Sequence, residues 1–398
     1  MKSYLVAHPA DFDRAVRQLS ESPEIALDLE FDNNRYTYGL NLCLVQVATR
    51  PPSNPNGTGE ATAPVCFIID PFAVADLQPL WNILENPTIT KILHCAAGDI
   101  TLLKTLGCQP RNLLDTELAV KILNYPKTSL AHVLAVNLGL DLDKSLQVSN
   151  WNTRPLTADQ LRYAAADVAY LHDLKDQLLA ELRRLGREHW LEEECRLLEL
   201  VESRENPEPH LKLRDTNRLT YYQQFILRAL YDFRDGLGRT FNKPSAFVIP
   251  NEVLVELAIR PAANPNEWSN LKGLLRMVKD REYFRQFKET VQQAQQRADE
   301  QNIPHRPPPP YRRPVASISE AEVEKRKRVG AVLRQAVVER FGDNAASLVL
   351  SQSSVQEFYQ GGGLVLRKQY AFEVVRQLAG ELGLDLSQLH LEGPVGVG

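Results

Sequence analysis

Apolar and polar positions alternate at residues 25–31, with Ile25, Leu27, Leu29 and Phe31 on one face and Ala26, Asp28 and Glu30 on the other. Further strand-like runs occupy 42–48, 65–69 and 89–94, and the first three strands lie close enough in sequence to predict an antiparallel meander. A segment rich in proline, asparagine and glycine, 51–59, separates the second strand from the third and reads as a loop. Helical spacing predicts helices over 76–84, 99–106, 116–123, 130–138 and 158–185. The last opens on a Thr157/Gln160 capping box and stops at Gly186. Residues 190–212 read as an acidic connection carrying Pro207 and Pro209, after which the pattern becomes wholly helical. Helices are predicted at 217–237 and 252–259, the second capped by Asn251, with a Pro/Asn break at 261–266 before the next. Four prolines at 307–310 with Arg306, Arg312 and Arg313 make 301–317 an extended, semi-rigid spacer. A last helical block, 318–398, has helices at 321–341 and 368–382 and a glycine turn at 361–363. The pattern therefore predicts a mixed α/β unit over 1–200 and two small all-α domains, 213–295 and 318–398.

At 398 residues the chain exceeds one ordinary core, in keeping with several domains. No stretch reaches 18 uninterrupted apolar residues, so no membrane span is expected, and Met1–Leu5 lacks the apolar core of a secretory signal. The five cysteines are scattered, odd in number and without a C-x-x-C pair, which argues against a disulfide framework or zinc site and fits the cytoplasm. The net charge of −4 is uneven: residues 1–200 carry −8 and 201–398 carry +4. A basic rear half suits a polyanion, as it suits an ordinary solvated surface. No G-x-x-x-x-G-K-[ST] phosphate loop occurs, which disfavours a helicase.

Candidate chemistry begins with Asp28 and Glu30, which share one face of an otherwise apolar strand roughly 6.5–7 Å apart. At that spacing two like charges repel by about 2–3 kcal/mol even at an effective dielectric of ~20. A divalent cation between them relieves this, and oxygen-only ligands favour Mg²⁺ or Mn²⁺; an edge strand with solvated acids is the plainer alternative. Asp99 follows the strand 89–94 where a helix begins, a position for a ligand group or a helix cap. Tyr163 and Asp167 stand at i and i+4 on one helix face, separated by three alanines that thin the helix waist.

Asp28-Leu29-Glu30, Asp99 and Tyr163-Ala-Ala-Ala-Asp167 resemble the three exonuclease motifs of the DEDD superfamily in its tyrosine-containing branch. Arg162 stands where the other branch carries histidine. Ile92-Leu93-His94, Leu114-Asp115-Thr116, Leu142-Asp143-Lys144-Ser145, Trp151 and Arg154-Pro155-Leu156-Thr157 extend the resemblance to the ribonuclease D family over roughly residues 20–185. Phe233-Arg234-Asp235, Pro250-Asn251-Glu252 and Leu271-Lys272-Gly273-Leu274 make 213–295 similar to an HRDC domain, and 318–398 resembles a degenerate second copy. Two departures stand out: residues 51–63 form a longer loop than is usual in the family, and 32–41 differ from the common bacterial form.

The resemblance implies a ribonuclease H-like exonuclease domain, a mixed sheet flanked by helices, that uses two divalent metal ions (Mg²⁺ or Mn²⁺). It implies release of nucleoside 5′-monophosphates from RNA 3′ ends, with tRNA precursors as substrate. Asp28 would bridge both metals, Glu30 and Asp167 would complete the water-activating site, Asp99 would hold the second metal and Tyr163 would orient the water. Leu29 and Phe31 are candidates to wedge against the terminal base, and Lys144 and Arg154 to grip phosphate. For each of these four a structural role is the alternative. Trp151, His94 and Asp115 read as a loop anchor, a satisfied histidine and a helix cap. A proofreading-type DNA exonuclease shares the metal chemistry, and an inactive nucleic-acid scaffold would have lost an acid; all four are present.

Overall fold

The computed structural model describes residues 2–50, 64–143, 145–202, 206–309 and 318–393. Its strands are β1 (Lys2–Val6), β2 (Glu24–Asn33), β3 (Leu40–Thr49), β4 (Val65–Ile69), β5 (Thr90–Leu93) and β6 (Leu113–Asp115), joined in one sheet of order β1-β4-β3-β2-β5-β6. The antiparallel meander is β2-β3-β4; β1, β5 and β6 join in parallel. The outer strands β1 and β6 are not legible in the residue pattern. β1 is exposed at four of its five residues and β6 is only three residues long, so neither shows alternation. The predicted loop at 51–63 lies outside the described residues.

Helices in the first 200 residues are α1 (Pro9–Ser20), α2 (Gln78–Glu85), α3 (Ala97–Thr105), α4 (Thr116–Ile122), α5 (Leu130–Leu138), α6 (Ala158–Ala169), α7 (Leu171–Arg184) and α8 (Glu188–Glu199). Ile25, Leu27 and Leu29 point into a core closed by α1, α2 and α3. Each fully buried isoleucine or leucine contributes about 1.5–3 kcal/mol. The opposite face, with Ala26, Leu44, Ala48 and Ile68, is covered by α4, α6, α7 and α8. It is this second face that carries Asp28 and Glu30.

Two expectations are corrected here. The helix predicted over 158–185 breaks at Tyr170 into α6 and α7. No glycine or proline marks the break. Packing imposes it, because α6 lies across β2, β3 and β4 whereas α7 lies on α4 and β5. The segment expected as an acidic connection holds α8, whose apolar face (Trp190, Leu191, Cys195) is buried while Glu192, Glu193 and Glu194 mask it in the sequence.

The second helical unit comprises α9 (Tyr221–Phe241), α10 (Ser245–Val248), α11 (Asn251–Ile259), α12 (Pro265–Asn270) and α13 (Arg281–Glu300) around Trp268 and Phe287. The buried Arg234 guanidinium donates to Ile249 O (3.1 Å) and Asn251 Oδ1 (2.7 Å). A Cβ at Gly273 (φ +80°) would meet Pro250 Cγ at 2.7 Å. The three sequence segments singled out in this block thus meet in space. Residues 318–393 form α14 (Glu320–Phe341), α15 (Asp343–Val349), α16 (Gln352–Tyr359) and α17 (Gln369–Glu381). Their apolar residues merge into the core over the acid-bearing face of the sheet. α8 is the bridge: Glu194 accepts from Lys368 Nζ (2.5 Å) and Tyr370 Oη, and Trp190 stacks on Tyr370 at 4.6 Å.

Candidate active site

β2 is an interior strand, laddered to β3 along its length and to β5 over Glu24–Ala26, just before the acids. The pairing register shifts between Glu30 and Phe31, a bulge directly after the second acid that re-aims the strand. Opposite, α6 lays its alanine waist on the sheet, with Ala164 and Ala165 buried, and both halves of the predicted Thr157/Gln160 capping box are present. That close approach brings Asp167 down to the β2 acids. One carboxylate oxygen from each of Asp28, Glu30 and Asp167 lies within 4.8 Å of the others, the one such group among the described residues.

Asp99 takes its position from a different device. The Asp115 carboxylate caps α4 by accepting from Glu117 N (2.8 Å) and also accepts from Cys95 N (3.0 Å) and Ala96 N (2.9 Å). This holds the Cys95 turn (φ +63°) and with it the first turn of α3, where Asp99 sits buried. Asp99 stands outside the tight three-residue group, yet its charge raises Glu30, and Asp28 in turn raises Asp99.

Burial, above all, pushes the acids up: Asp28 to about 7, Asp167 to about 8 and Glu30 to about 10, and Asp99 well above the carboxylate range. Mutual repulsion adds to burial for Glu30, Asp167 and Asp99. Three full charges 4.8 Å apart repel by about 3 kcal/mol per pair at a dielectric of ~20. The sum is comparable to a typical folding free energy of about 5–15 kcal/mol. The cluster therefore holds protons or a cation. The cavity around it, about 550 Å³, is lined by Asp28, Glu30, Glu117, Asp143 and Asp167 and by no lysine or arginine among the described residues. An oxygen-rich donor set of this kind fits hard divalent ions.

Tyr163 borders the same cavity, its ring 6.0 Å from Trp151. Burial, then the charges of Asp167, Glu30 and Asp28, push its phenol well above the usual range, so it stays protonated. Leu29 lines the cavity while packing into the core, and Phe31 lines an adjoining groove of about 190 Å³ that shares Glu30 and Gln147. His94 is satisfied, with Nε2 2.8 Å from Thr128 O and Nδ1 2.9 Å from Thr116 Oγ1, and burial lowers its pKa. Lys144 lies outside the described residues.

Arg154, expected among the substrate contacts, is held by the protein itself. Its guanidinium is committed to Asp70 through Nε (2.6 Å) and Nη2 (2.8 Å), to Trp151 O and Cys43 O (both 2.7 Å) and to the ring of Phe72 at 4.6 Å. With its fork filled, it ties the loop before α6 to the sheet. Sequence reasoning missed Glu117, Asp143 and Gln147 as cavity walls. Asp143 lay inside a quoted motif; for Glu117, an acid two residues after the cap Asp115, no periodic signal existed.

Residues 5–183 match the family model for a 3′-5′ exonuclease. The chain is 30% identical to ribonuclease D of Desulfotalea psychrophila over 276 residues, 67% of this chain and 69% of that protein. It is 29% identical to ribonuclease D of Bartonella henselae over 284 residues, 70% of this chain and 66% of that protein. The aligned region thus spans about two thirds of these relatives' length. Among solved structures, the fold is similar to that of Escherichia coli RNase D, an exoribonuclease involved in structured RNA processing. There the TM-score is 0.67 and the identity 24%, with 96% of this chain and 99% of that one covered.

Proposed function

The chain belongs to the ribonuclease D family of 3′-5′ exonucleases, and on that premise we propose that it removes nucleotides singly from RNA 3′ ends as 5′-monophosphates, with tRNA precursors as substrate. The observation that carries this reading is the convergence of Asp28, Glu30 and Asp167 within 4.8 Å in a cavity walled by carboxylates and lacking a lysine or arginine among the described residues. These three acids, with Asp99 beside them, would hold two divalent ions, Mg²⁺ or Mn²⁺. When bound, such ions supply Lewis-acid chemistry, acidifying water and neutralising charge on phosphate oxygens.

The chain's own groups do the rest. Tyr163, protonated across the physiological range, donates a hydrogen bond that orients the attacking water; a phenol held this high is no general base. Phe31, and the edge of the largely buried Leu29, are proposed to meet the terminal base. Lys144 follows the cavity residue Asp143 in sequence and is proposed for the neighbouring phosphate. The block at 213–295 is proposed as an HRDC-type nucleic-acid module and 318–398 as a degenerate relative of it. None of the described helices is long and apolar enough to cross a membrane, and a cytoplasmic setting is proposed.

The purified chain with Mg²⁺ or Mn²⁺ is expected to release 5′-mononucleotides from the 3′ trailer of a tRNA precursor, to stop with EDTA and to cleave DNA of the same sequence more slowly. Asp28→Asn is expected to abolish release while RNA binding, measured by gel shift, persists. Full activity of Asp28→Asn would overturn the site, and faster DNA cleavage would overturn the substrate.

A further inference from the structure

Gln46 lies on β3 directly opposite Asp28 in the β2–β3 ladder. Residues so opposed project from the same face with Cβ atoms about 4.5–5.5 Å apart. On its own strand and on β4 the same-face neighbours of Gln46 are Leu44, Ala48 and Ile68, all buried and apolar. α6 packs over β3 on this face with Ala164, Ala165 and Val168 buried. Gln46 is itself fully buried, and neither Nε2 nor Oε1 has a hydrogen-bond partner. No other side-chain amide among the described residues has both ends buried and unpaired.

Leaving a buried polar group unpaired is destabilising. An apolar side chain of similar length would fill this space without that cost, so packing gives no reason for an amide here. The polar group directly opposite across the ladder is Asp28, with Glu30 diagonal to it on the same face. We propose that Gln46 is a positioning residue for metal binding: its Nε2–H donates to the Asp28 carboxylate once that group ligates a divalent ion, and fixes the carboxylate's orientation. The inference rests on the reading of Asp28 as a metal ligand. Partners behind a ligating carboxylate set its aim, and their loss costs about 10–100-fold in metal affinity or activity.

The test is Mn²⁺ titration by calorimetry on the full chain, wild type beside Gln46→Met and Gln46→Leu, with thermal unfolding in EDTA and steady-state kinetics on RNA. Both variants are expected to bind Mn²⁺ about 10–100-fold more weakly and to lose kcat with KM for RNA unchanged. Their Tm in EDTA is expected to equal or exceed that of the wild type, because an unpaired buried amide has been removed. Mn²⁺ affinity within twofold of wild type overturns the inference, and so does a Tm that falls in step with affinity, which marks the amide as packing alone. A wild-type chain that neither binds Mn²⁺ nor releases nucleotides removes the metal reading and this inference together. A metal-dependent wild type with indistinguishable Gln46 variants removes only this inference.

Discussion

At the scale of residues, the acid cluster sets the pH behaviour. Unfolded carboxylates titrate near 4, whereas in the metal-free fold burial holds Asp28 at about 7, Asp167 at about 8 and Glu30 at about 10. Across that window these three groups bind more protons in the folded chain than in the unfolded one, so their contribution to stability is full below about pH 4 and is lost as pH rises through the folded values. Thermal unfolding in EDTA is expected to show Tm declining from pH 5 to 9. A saturating divalent ion, which takes the protons' place, is expected to restore Tm most at the alkaline end. A flat Tm profile would contradict the crowding of these groups. Tyr163→Phe keeps the ring beside Trp151 and removes only the hydroxyl. It is expected to lower kcat about 10–100-fold through misplacement of the nucleophile, and the alkaline limb of the rate profile below pH 9 is expected to be unchanged, because the phenol does not titrate there.

At the scale of elements, the site depends on how α6 enters. The capping box starts the helix, the alanine waist lets it approach, and Arg154 pins the preceding loop to Asp70 on the sheet side. Arg154→Ala strands the nearly buried Asp70 carboxylate and is expected to cost about 2–4 kcal/mol in urea denaturation. Arg154→Lys is expected to recover only part of this, since an ammonium cannot make the two-pronged contact. A variant as stable as wild type would return Arg154 to the substrate. The capping box and the alanine spacing were readable from letters because both are local. The break at Tyr170 was not, because the same apolar period runs through both helices and only their different seats on the sheet separate them.

At the scale of the whole molecule, the β2–β3 connection is where the helical unit docks. Tyr38 Oη donates to Asp235 Oδ2 (2.6 Å), Asn242 Oδ1 accepts from Tyr38 N (3.3 Å), and Arg239 lies over the Tyr38 ring. A Cβ at Gly238 would meet Ser245 Oγ at 2.7 Å and Tyr38 Cδ2 at 3.0 Å. The same connection reaches the loop beside the site, Tyr36 Oη donating to Val148 O (2.6 Å), while Asp32 accepts from Arg35, Tyr36 and Thr37 N–H groups and from Asn152 Nδ2. Tyr38→Phe is expected to cost about 1 kcal/mol, and Gly238→Ala more. Both should speed amide hydrogen exchange over 34–39 with that of the central strand β3 unchanged. Exchange unaltered at 34–39 would mean that this contact does not hold the units together.

The sequence alone determined the α/β character of the first 200 residues, the meander, the α-helical rear and the short list of acids, because each of these is written in local periodicity or in motif spacing. Only the tertiary structure decided that Asp28, Glu30 and Asp167 converge while Asp99 stands slightly apart, that Arg154 is an architectural tie and that an acidic stretch is the helix joining the last block to the sheet. The reason is common to all three. Charge and hydrogen-bonding capacity belong to a residue, but the partner that uses them lies tens to hundreds of positions away, and distance along a chain carries no record of distance in space.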